Sequence, residues 1–151
     1  MAFKKPCFGM ALLALLPLTA TAELGGDVAS VQTDQSRLKA MRRATPSNGY
    51  TVHELSTDSG IQIREYASAA GKVFAVTWRG PFLPDLQQLL GAYFPAFKAA
   101  AQSHRDGGAR GPVSVEQQDL IVQSGGRLRA FNGRAWVPSL LPPQVSIEEI
   151  Q

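Results

Sequence analysis

His53 and Glu65 are the two residues whose types and spacing come nearest to an acid–base pair. They lie in two strand-like runs separated by a glycine turn, and a three-residue turn would place them opposite each other. A carboxylate across the sheet can orient an imidazole and raise its pKa, which suits a general base. No serine, threonine or cysteine stands out as a nucleophile to complete a site, so an ordinary cross-strand polar pair is the plainer interpretation.

A second candidate site is a run near the C-terminus in which arginines and aromatic residues are interleaved. Guanidinium planes and aromatic rings suit an anionic or sugar-like ligand, or a protein partner. Trp78 and Arg79, at the end of an earlier strand-like run, are candidates for a binding rim. The competing interpretation is that the rings pack under a helix while the arginines keep the edge soluble. The predicted binding residues of the run itself are Arg127, Arg129, Phe131, Arg134 and Trp136.

The sequence gives no indication of a metal, cofactor or phosphate site. His53 and His104 lie in separate segments without ligand spacing, and the chain has neither an H-E-x-x-H motif nor a cysteine pair. The glycines at 107, 108 and 111 lack the Gly-Lys-Ser/Thr of a phosphate loop. We therefore expect neither a metal nor a cofactor.

Residues 1–22 have the three parts of a secretory signal peptide. Lys4 and Lys5 form a basic start, a short apolar run follows, and Ala20-Thr21-Ala22 supplies the cleavage pattern. The apolar run is shorter than the ~20 residues that span a membrane. We expect export through the inner membrane to the periplasm or the medium, with no membrane span in the mature chain.

Removal of this segment changes the cysteine content and the charge. Cys7 leaves with it, so the mature chain forms no disulfide, although about 129 residues suffice for one core. The loss of Lys4 and Lys5 leaves 13 of the 15 basic residues against 12 acidic ones. A net charge near +1 argues against nucleic-acid binding, which needs a dense basic surface.

The mature chain is predicted to begin with a helix over residues 24–44, capped by Asp27 or Ser30. Its apolar stripe is narrow, so we expect it to lie across a surface rather than in a core. Residues 23–48 could instead be a flexible arm that ends in a breaker cluster at 45–49.

Two strands at 50–56 and 61–68 follow, and the charges select the turn between them. A two-residue turn would oppose two glutamates, which destabilises a strand pair. A three-residue turn with Gly60 at positive φ instead puts Glu54 beside Arg64. We therefore predict the second register.

A third strand at 73–79 is predicted to turn Phe74, Val76 and Trp78 to one face. Asp85 should cap the helix that follows, and Pro95 should kink or divide it. The apolar residues that recur at helical spacing are Leu86, Leu89, Leu90, Tyr93, Phe94, Phe97 and Ala101.

The last third is predicted as strands over residues 119–138 joined by two-residue turns at Gly125-Gly126 and Asn132-Gly133. Asn-Gly between alternating runs is the strongest short hairpin signal. These turns place Arg129 opposite Trp136.

Residues 49–151 thus form one predicted α+β domain. Its antiparallel sheet has five to six short strands, arranged as a three-strand meander, a helix, and a meander of two to three strands. One long helix covers the sheet, residues 103–112 form a polar loop, and residues 145–150 could add an edge strand. This architecture hosts many functions, so it does not name one.

Three segments of the chain carry a family resemblance: LGGD at 24–27, GKVFAVTWRGPFLPDLQQLLG at 71–91, and DLIVQSGGRLRAFNGRAWVPSLLP at 119–142. The chain resembles the bacterial exported proteins grouped as domain-of-unknown-function family 2844 (DUF2844). The resemblance implies export and a single domain. It assigns no activity, so no catalytic residue is carried over.

Three functions remain open at this stage. The first is a non-enzymatic periplasmic or secreted binding module, with an envelope protein or an anionic or glycan ligand as its partner. The second is an envelope-acting hydrolase or isomerase that uses His53 and Glu65. The third is a structural accessory of envelope assembly that recruits a partner by strand addition.

Overall fold

A computed structural model of the chain describes residues 23–109, 111–117 and 119–151, so the signal peptide predicted at 1–22 lies outside the described residues. Seven antiparallel strands form one sheet in the order β1-β2-β3-β4-β7-β6-β5. The α+β class is confirmed, with seven strands instead of five to six. The strands are β1 Met41–Pro46, β2 Tyr50–Ser56, β3 Gln62–Ser68, β4 Val73–Gly80, β5 Val113–Gln117, β6 Leu120–Arg127 and β7 Ala130–Trp136.

Three helices cover one face of this sheet, α1 Ser30–Leu38, α2 Leu86–Leu90 and α3 Phe94–Asp106. The single long helix of the prediction is therefore two helices with a 3₁₀ turn, Gly91–Tyr93, between them. Pro95 is placed in the first turn of α3, where its missing N–H costs no hydrogen bond. Among the described helices, none has the length and apolar character needed to cross a membrane.

The N-terminal segment differs from the predicted helix over 24–44. Helix α1 ends at Leu38, because Lys39 takes the left-handed conformation at φ 49, and residues 41–46 form the edge strand β1. Neither predicted cap is made, since the Ser30 hydroxyl donates back to the Asp27 carbonyl. Val31 is fully buried, so α1 contributes to the core and does not merely lie across the surface.

The hairpin of β2 and β3 has the predicted register. Gly60 has φ 83, Glu54 pairs with Arg64, and His53 pairs with Glu65. The Glu54 Oε1 to Arg64 Nε distance is 2.9 Å. The charges of this hairpin therefore did select the turn.

Strand β4 follows the prediction except at its start, Val73 and Phe74. Tyr66 pairs with Ala75 and Ala67 with Val73, so Phe74 is the extra residue of a β-bulge. Its ring packs against Tyr66 on the face opposite Val76. The predicted alternation over 73–79 is therefore wrong at Phe74 and also at Val73, which lies on the same face as Val76 because the bulge adds a residue between them.

The β6–β7 hairpin does not turn at either predicted position, Gly125-Gly126 or Asn132-Gly133. Gly125 pairs with Asn132 and Gly126 with Phe131 inside the strands, and the turn is Leu128-Arg129, with Arg129 at φ 65. The predicted pairing of Arg129 with Trp136 is therefore wrong.

Gly133 has a packing role instead of a turn role. A Cβ there would lie 2.3 Å from the ring of Trp78, which belongs to the neighbouring strand β4. The indole therefore needs a glycine beneath it.

The sheet has two faces, both covered over part of their area. The helix face packs Leu55, Ile63, Val76, Trp78, Val122 and Ala135 against the helices. The other, which we call the tail face, packs Tyr66, Phe74, Ala75 and Trp136 against Val145 and Ile150 of the C-terminal segment.

That C-terminal segment does not form the edge strand predicted at 145–150. Its backbone makes a 3₁₀ turn, Ile147–Glu149. Ser146 and Glu149 form a capping box, which satisfies the backbone locally and leaves no ladder to pair with a strand.

Candidate functional site

Two rows of polar side chains cross the tail face, because residues that pair directly in a sheet point to the same side. The first row runs from β2 to β5 through Glu54, Arg64, Thr77, Arg134, Gln123 and Ser114. The second runs through Gln62, Arg79, Asn132 and Gly125. The rows lie beside the apolar part of the tail face that the C-terminal segment covers.

These rows form the floor of an open groove of about 650 Å³. Arg64, Arg79 and Arg134 bring three cations into it, and we call it the arginine groove. Arg64 and Arg134 belong to strands on either side of β4, so their backbones are ~10 Å apart. Among the described residues that line the groove, none is acidic, and its polar side chains are chiefly amides and hydroxyls.

A neighbouring side chain fixes each guanidinium group through its Nε atom. The Nε of Arg79 donates to Gln62 Oε1 at 2.7 Å. The Nε of Arg134 donates to Gln123 Oε1 at 2.8 Å. Glu54 does the same for Arg64. The planar groups are thus held in place while their terminal nitrogens stay available to other acceptors.

The C-terminal segment uses some of these terminal nitrogens. Nη1 of Arg64 donates to the Gln151 carbonyl at 2.7 Å, and Nη1 of Arg134 lies 3.3 Å from the Ile147 carbonyl. The Arg134 guanidinium also lies 5.3 Å from the ring centroid of Trp136. Arg79 is exposed, and its terminal nitrogens have no hydrogen-bond partner within the described residues. Arg79 is therefore the arginine best placed to meet a ligand.

The structure distributes the predicted binding residues over several environments. Arg79 and Arg134 line the groove, whereas Trp136 is buried under the C-terminal segment. Trp78 is also among the lining residues, but it is only 2% exposed and packs in the helix-face core. Arg127 is exposed near the hairpin turn, outside the residues that line the groove.

Arg129 and Phe131 line a second depression beside the groove. Sequence reasoning missed the part played by Arg64, Gln62 and Gln123. Gln62 meets Arg79 across β3 and β4, Gln123 meets Arg134 across β6 and β7, and the pairing of β4 with β7 joins them into one groove. Only the local pairing of Arg64 with Glu54 was readable from the sequence.

His53 and Glu65 lie on the opposite face, beneath α1. Their exposed fractions are 4% and 3%, and the register places them side by side as predicted. The Nδ1 of His53 lies 3.0 Å from Nη2 of Arg42, so Arg42 donates to it and the imidazole proton is on Nε2. Neither His53 Nε2 nor Glu65 Oε2 has a hydrogen-bond partner among the described residues.

The pKa shifts of His53 and Glu65 do not fit a histidine base that is oriented by a carboxylate. Burial, with the charge of Arg42, lowers the pKa of His53, whereas the sequence predicted that a carboxylate would raise it. Burial raises the pKa of Glu65 well above its usual range, and the neighbouring Asp34 side chain adds to it. Burial thus favours the protonated form of Glu65 and the neutral form of His53.

Asp34 completes this group and ties it to two helices. It comes from α1 and accepts a hydrogen bond from the side-chain amide of Gln88 in α2. Burial raises the pKa of Asp34 as well. We call the five residues the buried polar cluster: Asp34, Arg42, His53, Glu65 and Gln88.

The cluster joins α1 and α2 to strands β1, β2 and β3, and its members do not line the arginine groove. In the part of the chain that the structure describes, no three histidine, cysteine, aspartate or glutamate side chains come together as metal ligands.

The fold and the groove together define a single-sheet α+β domain with a cationic surface on one face. The sequence model of a family described as "Protein of unknown function (DUF2844)" matches residues 20–150, so the chain belongs to that family. Comparison of the chain with curated proteins and with solved structures gives no match.

Proposed function

We propose that the protein is a non-enzymatic binding module, periplasmic or secreted, whose arginine groove holds an anionic ligand. The observation that carries this proposal is the set of three guanidinium groups fixed side by side in an open groove. A guanidinium presents parallel N–H groups that match a carboxylate, sulfate or phosphate. Because they are already oriented, little side-chain freedom is lost when the ligand binds.

The lining supports an anion more than a neutral ligand. Arg79 has terminal N–H groups that no described side chain uses, and the groove is open to solvent above it. Amides and hydroxyls around it can both donate and accept, which orients a polar ligand. The predicted signal peptide supports an extracytoplasmic place for this binding.

The hydrolase or isomerase based on His53 and Glu65 is the weaker proposal. Both side chains are buried beneath α1, where a substrate has no contact with them. Burial also favours the protonated form of Glu65, which opposes the carboxylate that would have to orient the imidazole.

Screening of the mature protein on an array of neutral, carboxylated, sulfated and phosphorylated glycans tests the proposal, followed by calorimetry on the best binder. Arg79→Ala should weaken binding about 10- to 100-fold, because a hydrogen bond to a charged group contributes ~1.5–3 kcal/mol. Arg105→Ala is the matched control, since Arg105 is an exposed arginine on α3. Equal affinities for the wild-type protein and Arg79→Ala, or an array with no anionic binder, would refute the proposal.

A further inference from the structure

The arginine groove continues into the second depression, at the end of the sheet where the β6–β7 hairpin turns. This depression has a volume of about 620 Å³, and we call it the turn depression. Gln62, Arg79 and Asn132 line both spaces, so the two form one continuous surface. Arg129 supplies a further cation at the far end, with Phe131 beside it.

We infer that the ligand is an elongated acidic oligosaccharide whose carboxylates contact Arg129, Arg79 and Arg134 in succession. This inference rests on the proposed function and adds the length and chemical class of the ligand. A single phosphate or monosaccharide acid would occupy only one of the three positions.

The spacing of the cations along the sheet supports an elongated ligand. Asn132 lies directly across from Arg79, and Arg134 follows Asn132 by two positions in β7, ~7 Å along the strand. Arg129 precedes Asn132 by three positions and lies in the hairpin turn, on the side of Arg79 away from Arg134 and at most ~10 Å along the chain from Asn132. Arg79, which lines both spaces, therefore lies between Arg134 of the groove and Arg129 of the turn depression.

The floor of this surface favours an oligosaccharide over an acidic peptide. Strands β4, β6 and β7 lie inside the sheet, so their backbone groups are already paired and cannot accept a peptide by strand addition. Recognition must come from side chains, and the amides of Gln62 and Asn132 can each donate to and accept from sugar hydroxyls.

A protein partner is also disfavoured by the positions of the exposed apolar side chains. Interfaces between proteins depend on large apolar anchors. Among the described residues, none of the exposed large hydrophobic ones lines either depression. These residues are Met41, Phe82, Leu83 and Leu128.

The test is calorimetry of the mature protein with oligogalacturonates of increasing length, from the monosaccharide upward. We expect affinity to rise with length until the line of arginines is filled. Arg129→Asn should weaken binding of the long oligomers about tenfold, because it removes the contact at the far end of the ligand. Binding of the short oligomers should not change. Asparagine tolerates the left-handed φ of 65, so this variant keeps the turn.

Two further ligands and one further variant separate the outcomes. Fully methyl-esterified oligomers of the same length should bind at least tenfold more weakly, since they lack the charge. Arg79→Ala should weaken binding at every length.

Weaker binding by Arg79→Ala, without any effect of ligand length or of Arg129→Asn, would overturn the elongated ligand and leave the groove as the anion site. Poly-glutamate that binds as tightly as the oligosaccharide of equal charge would overturn the assignment to a sugar.

Discussion

The two polar regions of this protein lie back to back on the same strands. In β2, His53 points into the buried polar cluster, and the next residue, Glu54, faces the tail side of the sheet. In β3, Arg64 lines the arginine groove, and the next residue, Glu65, is buried beneath α1. The alternation of a strand therefore gives neighbouring charged residues opposite surroundings.

Charged residues have a structural role where they are buried and can bind a ligand where they face solvent. In the buried polar cluster, burial raises the pKa of Glu65 and lowers that of His53, so both residues favour their neutral forms. The cluster keeps unpartnered polar atoms, which cost free energy, and in return it fixes α1 and α2 on the sheet. In the groove Arg79 is exposed, and its terminal nitrogens are accessible to a ligand.

The largest expected effect concerns Trp78, which was a candidate for the binding rim and is 2% exposed in the helix-face core. Trp78→Ala should lower the free energy of unfolding by ~3–5 kcal/mol, because it removes a buried indole and leaves a cavity. The control is Arg79→Ala, the next residue on the opposite face, with an effect of ~0.5 kcal/mol or less. Urea unfolding measures both, and a stable Trp78→Ala variant that loses ligand binding would show that the indole contacts the ligand.

The next effect concerns the contact between α1 and α2. Gln88→Ala should cost ~1–3 kcal/mol of unfolding free energy, because the buried Asp34 carboxyl loses the amide that donates to it. Gln87→Ala changes the same residue type in the same helix at an exposed position and should cost ~0.5 kcal/mol or less. Equal losses in the two variants would mean that the cluster does not hold these helices.

The pH dependence of stability should identify Glu65 within the cluster. Its folded-state pKa is raised above the ordinary value of 4.5, so the native state keeps a proton that the unfolded chain releases. Its contribution to stability is complete below pH 4.5 and is lost as the pH rises through the folded-state pKa. Glu65→Gln stays neutral, so its stability relative to the wild-type protein should increase steadily with pH.

Denaturant unfolding at a series of pH values measures this difference. Glu54→Gln is the control on the tail face, where the half-exposed pair with Arg64 contributes about 1 kcal/mol or less. A difference between Glu65→Gln and the wild-type protein that does not change with pH would contradict the assigned protonation of Glu65. The pKa of His53 is lowered, so its effect on the pH dependence of stability is opposite. The contribution of His53 is present above pH 6.5 and is lost as the pH falls.

The sequence was sufficient where neighbouring residues decide the structure. The register of β2 and β3 follows from opposing charges and Gly60, and the cap at Asp85 and the division near Pro95 follow from local backbone chemistry. The pair His53–Glu65 was placed correctly for the same reason. Its burial was not predicted, because that depends on α1 folding back over the sheet.

Contacts distant in sequence explain the errors. Asn132-Gly133 has the sequence of a turn, but Gly133 is a glycine because Trp78 packs on it from β4. Strand β1 has no apolar alternation because it is an exposed edge with β2 as its neighbour. The arginine groove combines β3, β4 and β7; the meander of β3 and β4 was predicted, but no local pattern shows that β4 and β7 are neighbours.

One titration tests the difference between the two regions most directly. An acidic oligosaccharide is added to the wild-type protein, to Arg79→Ala and to Glu65→Gln at one pH, and the dissociation constants are compared by calorimetry. We predict that Arg79→Ala binds about 10- to 100-fold more weakly, while Glu65→Gln matches the wild-type protein. Unchanged binding by Arg79→Ala together with lost binding by folded Glu65→Gln would contradict this account and place the functional site beneath α1.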